Sequence, residues 1–442
     1  MGKHIKKIVT SLFIFIVLLT NLNVTTTNAY VSEVPELNAQ GVYLMDAYTG
    51  KVLYEKNSDV LFEPASTTKV MTAILALENC SLNEQVTIGE NPPYADGSSM
   101  GMQEGEIYTV EELLIGLLLP SANDAAEALA EHVAGSTENF AIMMTNKAHE
   151  IGAVSTTFKN PSGLHAEGHL TTAHDLALIL QYALQYDDYV RISRIDQYFY
   201  ENHPYSDGSE RWAINGNNCA PFSTYASVNY PEYTYENLYC GKTGWTDEAN
   251  HTYVAAAKED GQLLIASFLN ATNKADQYSS VGPLFDWGFT NYITKKIVST
   301  GDVLENYIIN DNTTIPLKSD RDIYYTFLSD DNLNPSITVR YNNIDYSTTS
   351  IVEGVILFNN AELYVNGGYY TTLNLLSATS RTYTAVAKVE EAVTEITENR
   401  YFLPLIIGIA VFVIVILIII INIRRKIRYN RRKRRIRRRH NF

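Results

Sequence analysis

The chain has 442 residues, 46% hydrophobic and 19% charged, enough for about two or three domains and a sizeable core. Its net charge of −15 hides an asymmetry: 15 of its 34 cations lie at the two ends, leaving 19 cations against 49 acids, a balance of −30 that excludes nucleic acid and anionic membrane as partners of the central part. Three cysteines, Cys80, Cys219 and Cys240, are an odd number without metal-ligand spacing, so no disulfide-built fold is expected.

In chain order, Lys3, Lys6 and Lys7 precede an apolar run from Ile8 to Leu19, and Thr27-Asn28-Ala29 offers small residues for cleavage. Residues 1–29 therefore read as a secretory signal peptide, with an uncleaved anchor as the alternative. Gly41–Met45 and Val52–Tyr54 flank the turn chemistry of Asp46–Gly50, which predicts a hairpin. Val110 to Val133 is helix-rich but broken at Pro120. Two apolar runs, Thr252–Ala257 and Leu263–Phe268, flank Asp260-Gly261, a second hairpin signal. Strands at both ends of residues 30–296, with helices between them, predict an α+β domain on an antiparallel sheet.

From 297 to 387 Tyr, Thr, Val, Ile and Asn dominate in short runs, which predicts a small all-β domain. Val389, Val393 and Ile396 suit a stalk helix over 388–401. Residues 402–421 carry no charge and match a bilayer core of roughly 30 Å. Twelve cations between Arg424 and Arg439 follow, so 422–442 reads as a basic cytoplasmic tail that fixes the orientation of a transmembrane helix. A nucleic-acid-binding tail is the other reading of such a run, disfavoured beside a span.

Three segments carry candidate chemistry. In Pro64-Ala65-Ser66-Thr67-Thr68-Lys69 the proline suits a helix start, and positions i and i+3 share a face, so Lys69 reaches the Ser66 hydroxyl. A lysine base must be neutral, which an unperturbed side chain is only about one time in two thousand at pH 7. Burial in the apolar run Val70–Leu77 and a nearby second cation lower its pKa. The bland reading is a capping serine with a surface lysine. Ser121-x-Asn123 follows Pro120 on a turn between helices, where a hydroxyl and an amide point into one cleft, or merely cap a helix. Lys242-Thr243-Gly244-Trp245 precedes the second hairpin. Lys242 offers a fixed positive charge and Thr243 a hydroxyl for a terminal carboxylate, with glycines admitting a substrate backbone; the alternative is a strand with a glycine bulge.

Each signal alone is weak, but together and in this order they resemble the penicillin-binding and serine β-lactamase superfamily. The chain is most similar to the low-molecular-mass D-alanyl-D-alanine carboxypeptidases. The wording around Ser66, around Ser121-Ala122-Asn123-Asp124-Ala125-Ala126, through Asn160-Pro161-Ser162-Gly163-Leu164 and around Lys242 carries the likeness over about residues 35–290. One departure is Cys240-Gly241, where the family carries a glycine and then an apolar residue before the lysine.

The resemblance implies a β-lactamase/transpeptidase-like catalytic domain over 30–296, a C-terminal β domain and a membrane anchor. It also implies a reaction with peptidoglycan stem peptides, covalent inhibition by β-lactam antibiotics, and no cofactor or metal. By position, Ser66 would be the nucleophile, Lys69 its base and Ser121 the proton relay. Asn123, Lys242, Thr243, Gly244 and Trp245 would bind substrate, with the backbone of Ser66 and Trp245 forming an oxyanion hole.

Three rivals compete. A β-lactamase would use Glu167-x-x-Leu170 for deacylation, but Thr171 stands where asparagine is expected. A metallopeptidase would use His165, His169, His174 and Asp175, but Gly163 and Gly168 interrupt any helix there. A penicillin-sensing or wall-binding protein, acylated without turnover, would retain all the same motifs.

Overall fold

The computed structural model describes residues 32–310, 313–383 and 402–439; the expected signal peptide (1–29) and stalk (388–401) lie outside them. Strands β1 (Ala39–Asp46) and β2 (Val52–Lys56) form the first hairpin. Its turn is tied by the Asp46 carboxylate, which accepts from the backbone of Tyr48 and Thr49 at 3.1 and 2.9 Å. Two short pairs follow, β3 (Gln85–Thr87) with β4 (Ile107–Thr109) and β5 (Gln197–Phe199) with β6 (Trp212–Ile214). Then come β7 (Leu238–Thr246), β8 (Asn250–Glu259) and β9 (Gln262–Ala271), which complete an antiparallel sheet in the order β2-β1-β9-β8-β7. Asp260 and Gly261 both take positive φ, +48° and +87°, the backbone of a tight two-residue hairpin turn.

Successive residues of a strand face opposite sides, and here both sides are buried. Tyr43 and Met45 of β1 pack with the helices Lys69–Asn79, Val110–Leu118, Asn123–Ala134 and Ala173–Ala183, whereas Val42 and Leu44 pack toward the helix Val281–Asn291. This two-sided burial explains why β8 and β9 are apolar runs without alternation. The break expected near Pro120 is real. Thr109 and Glu112 form a capping box that starts Val110–Leu118, the proline turn follows, and Asn123–Ala134 ends at Gly135 in the left-handed region.

The remaining strands are β10 (Tyr292–Val298), β11 (Val303–Asn310), β12 (Thr313–Ser319), β13 (Ile323–Leu328), β14 (Ile337–Arg340), β15 (Ile356–Val365) and β16 (Gly368–Ser377). All but β10 and β13 form a second antiparallel sheet, β11-β12-β16-β15-β14. The domain division differs here from the sequence expectation of one uninterrupted β domain over 297–387. The chain leaves the first compact unit after Ile297, returns to it over Ile323–Pro335, and then leaves again. The reason is that β13 pairs with β10, and Thr326 bonds to the hydroxyls of Thr49 and Thr294 at 2.7 and 2.8 Å. A separate helix, Phe402–Arg439, contains a stretch, Leu403–Arg428, long and apolar enough to cross a membrane, with mean hydropathy 3.5.

Candidate active site

Ser66 sits on one turn of 3-10 helix, Ala65–Thr68, which runs directly into the helix Lys69–Asn79. That turn is held from three sides. Thr67 and Thr252 both donate to the carbonyl of Pro64, at 2.6 and 2.8 Å. A Cβ at Gly244 of β7 would lie 2.8 Å from the Ser66 nitrogen. A Cβ at Gly163 would fall on the Ala65 carbonyl. Both glycines are needed because backbone meets backbone there.

Lys69 is fully buried, and its Nζ meets Ser66 Oγ at 2.9 Å, Asn123 Oδ1 at 2.6 Å and the Ser162 carbonyl at 2.7 Å. Asn123 opens its helix and is held in turn: its Nδ2 donates to the Asp96 carbonyl at 2.5 Å and its backbone N–H to that of Ser98 at 2.6 Å. Next to it the buried Asp124 carboxylate gathers Ser99 Oγ and the backbone N–H groups of Met100 and Gly101. Ser121 takes φ +64°, an uncommon conformation for a residue with a side chain, and its Oγ accepts from Lys242 Nζ at 2.9 Å. Lys242 also donates to the Thr243 carbonyl, 2.9 Å away. Thus two hydrogen-bonded groups, Ser66–Lys69–Asn123 and Ser121–Lys242, lie close enough for their lysines to repel each other. Thr243 and Gly244 continue along the same strand, where Trp245 is exposed at 56%.

Burial depresses both lysines. Lys69 falls well below its ordinary value, first through desolvation and then through the Lys242 cation, with Asp124 opposing. Desolvation lowers Lys242 to about 7. The two cations repel each other, and Lys69, the more strongly depressed of the two, is the one that gives up its proton while the charge stays on Lys242. The sequence suggested a fixed charge on Lys242, but the side chain is only 2% exposed, and its burial makes that charge conditional on what surrounds it.

The Cys240-Gly241 departure is absorbed in the register. Gly241 pairs with Ala255, and a Cβ there would lie 2.6 Å from the Tyr253 hydroxyl. That hydroxyl donates to Asn217 Oδ1 at 2.9 Å, and Asn217 Nδ2 reaches the Gly241 carbonyl at 3.4 Å. Glycine here is the counterpart of a tyrosine packed beneath the strand.

Sequence reasoning missed the structural parts played by the Ser162 and Asp96 carbonyls and by Asp124 and Asn217. Backbone acceptors leave no residue signature; only the glycines at 97, 101 and 163, all with positive φ, hinted at loops folded tightly there. The histidines of the metallopeptidase reading are separately committed. His165 bonds to Glu63 at 2.9 Å, His169 to Thr68 Oγ1 at 2.9 Å, and His174 lies edge-on to Tyr43. His169 is buried, with its pKa pushed down to about 4, which makes it a neutral packing group. Glu167 is exposed, and Thr171 is buried against Thr156.

The fold is that of the penicillin-binding proteins. Penicillin-binding protein 5 from Haemophilus influenzae superposes with TM-score 0.64 at 22% identity, over 79% of this chain and 99% of that one. A D-alanyl-D-alanine carboxypeptidase from Mycobacterium tuberculosis H37Rv superposes with TM-score 0.52 at 32% identity, over 59% and 94%. In sequence, the D-alanyl-D-alanine carboxypeptidase DacF of Bacillus subtilis is 32% identical over 297 residues, 65% of this chain and 72% of that protein. The profile of the D-alanyl-D-alanine carboxypeptidases matches residues 27–273, and the chain belongs to that family of serine peptidases.

Proposed function

We propose that this cleft removes the terminal D-alanine of peptidoglycan stem peptides through an acyl-enzyme on Ser66. The observation that carries the reading is the set of partners around Lys69 Nζ. Asn123 Oδ1 and the Ser162 carbonyl can only accept. A neutral Lys69 amine therefore directs both N–H groups at them and turns its lone pair on the Ser66 hydroxyl. Ser66 Oγ attacks the carbonyl between the last two D-alanines while Lys69 takes its proton.

Lys242, protonated, and Thr243 hold the terminal carboxylate, which restricts the enzyme to chain ends. Ser121, bonded to Lys242, gives its hydroxyl proton to the departing amine and takes up in its place the proton that Lys69 accepted, which returns Lys69 to the neutral form. The backbone N–H groups of Ser66 and Trp245 stabilise the oxyanion, each contributing about a hundred- to a thousand-fold in rate. Gly244 leaves room for the substrate backbone along β7. Asn123 acts on the base as well as on the substrate, since its amide braces Lys69. Water then hydrolyses the ester, with Lys69 again as base. β-Lactam antibiotics acylate the same oxygen.

In this reading residues 30–296 form the catalytic domain and 297–387, less the returning strand, the β domain. The apolar segment 402–421 anchors the protein in the cell membrane, with the basic tail (422–442) cytoplasmic and the catalytic domain outside. Mass spectrometry after penicillin treatment tests the assignment. The expected result is one adduct on the peptide containing Ser66, with catalytic D-alanine release that disappears in Ser66→Ala. An adduct elsewhere rejects it, and stoichiometric acylation without release leaves the sensor reading in its place.

A further inference from the structure

The second unit contains a concavity of about 430 Å³ that the chemistry above does not use. Its lining combines Tyr341, Tyr346 and Phe358 with Asn342, Asn359 and Asn360, and its two charged members, Arg340 and Glu362, are both tied to the hydroxyl of Tyr364. Strand β15 is irregular there. Against β16, Ile356 pairs with Leu376, Phe358 with Leu375 and Ala361 with Leu373, so β15 carries one extra residue at each step. Such bulges re-aim side chains, and Asn360 takes φ +52° at the second of them. Phe358 is buried beneath the ring of Tyr341, 4.1 Å between centroids, with Tyr307 and Tyr346 edge-on at 5.3 and 5.8 Å. The phenol of Tyr307 donates to the Ile344 carbonyl and that of Tyr346 to the Leu357 carbonyl, both at 2.5 Å, which pins the loop after β14 over the strand. The amides of Asn342, Asn359 and Asn360 are exposed and have no hydrogen-bond partner among the described residues.

We propose that this concavity binds the glycan strand of peptidoglycan, a polymer of N-acetylated amino sugars. A pyranose ring presents an apolar C–H face and a rim of hydroxyls. Aromatic side chains suit the first, and amides, each with donors and an acceptor, suit the hydroxyls and the N-acetyl group. At this volume the site accepts one or two sugar units, since ligand pockets span about 300–1,000 Å³. The choice of glycan rests on the reading that the chain acts on peptidoglycan. Stem peptides are attached to these sugars, so a second hold on the strand raises the effective concentration of peptide ends.

Full-length protein in detergent, passed over beads carrying peptidoglycan strands stripped of stem peptides by amidase digestion, tests the proposal by retention, with dextran beads as control. Wild type is expected to be retained by the N-acetylated strands and not by dextran. The double variant Asn359→Ala/Asn360→Gly, in which glycine accepts the positive φ, is expected to bind about tenfold more weakly. Tyr341→Ala is expected to lose binding and Tyr341→Phe to keep it. Hydrolysis of a short soluble D-Ala-D-Ala peptide stays unchanged in all three, which reports an intact catalytic unit, and unchanged calorimetric melting reports an intact second unit. Absent binding by wild type, equal binding to dextran, or undiminished binding by the double variant overturns the glycan site. Failure of the carboxypeptidase reading registers separately, as no D-alanine released from the short peptide.

Discussion

Lys69 Nζ faces three oxygens, and two of them, Asn123 Oδ1 and the Ser162 carbonyl oxygen, can only accept. A neutral amine fits that set, with two N–H groups for the two acceptors and a lone pair for the serine hydroxyl. An ammonium would be satisfied by the same three partners, so hydrogen bonding alone does not decide the protonation state; desolvation and the Lys242 cation do. The consequence is a particular pH dependence. Burial depresses Lys242 to about 7, so it is charged below that pH and neutral above it. Carboxylate capture needs the charge, and kcat/KM, which reports the free enzyme, is expected to fall as pH rises above about 7. In Lys242→Arg the guanidinium stays protonated, so the alkaline fall should vanish even if the rate is lower throughout. Steady-state kinetics between pH 5 and 10 check this, and an unchanged alkaline limb in the arginine variant rejects it.

At the scale of elements, the nucleophile turn is shaped by what lies against it more than by its own residues. Ala65 takes φ +48°, and that turn is wedged between the loop at Gly163 and strand β7 at Gly244. Gly163 has φ +89° and no room for a Cβ before the Ala65 carbonyl. Gly163→Ala must both strain its own backbone, at about 1–3 kcal/mol, and push the Ser66 turn. The expected outcome is a lower melting temperature together with acylation by penicillin slowed at least about tenfold. Gly105→Ala, also at positive φ but with open space around it, should lower stability without touching acylation. If both variants acylate at the wild-type rate, the packing of this loop is irrelevant to the nucleophile.

For the whole molecule, the returning segment Ile323–Pro335 matters most to how the catalytic unit can be cut. Thr326 joins Thr49 and Thr294, Lys51 donates to its carbonyl at 3.0 Å, and Tyr324 stacks on Tyr48 at 4.7 Å. A protein ending at Ile297 loses all of these and leaves the edge of β10 unpaired. It is expected to melt at least several degrees below a protein ending at Tyr383, corresponding to about 1–3 kcal/mol. Equal melting temperatures in calorimetry would show that β13 contributes nothing to the catalytic unit.

The sequence by itself determined what depends on neighbours along the chain. The two hairpins, the break at Pro120, the i, i+3 pair of Ser66 and Lys69 and the apolar span all follow from turn chemistry, periodicity or length, which act over a few residues. Much of the candidate site was legible for that reason: the three motif segments are short and chemically distinctive. What only the tertiary structure decided involves groups far apart in sequence. The Ser162 carbonyl reaches Lys69, Asn123 braces the base, Tyr253 occupies the space where a side chain at Gly241 would go, burial makes the Lys242 charge conditional, and Ile323–Pro335 turns back to the first unit. Backbone carbonyls look alike in every residue, and desolvation is a property of a site's whole surroundings, so neither is written in any local pattern.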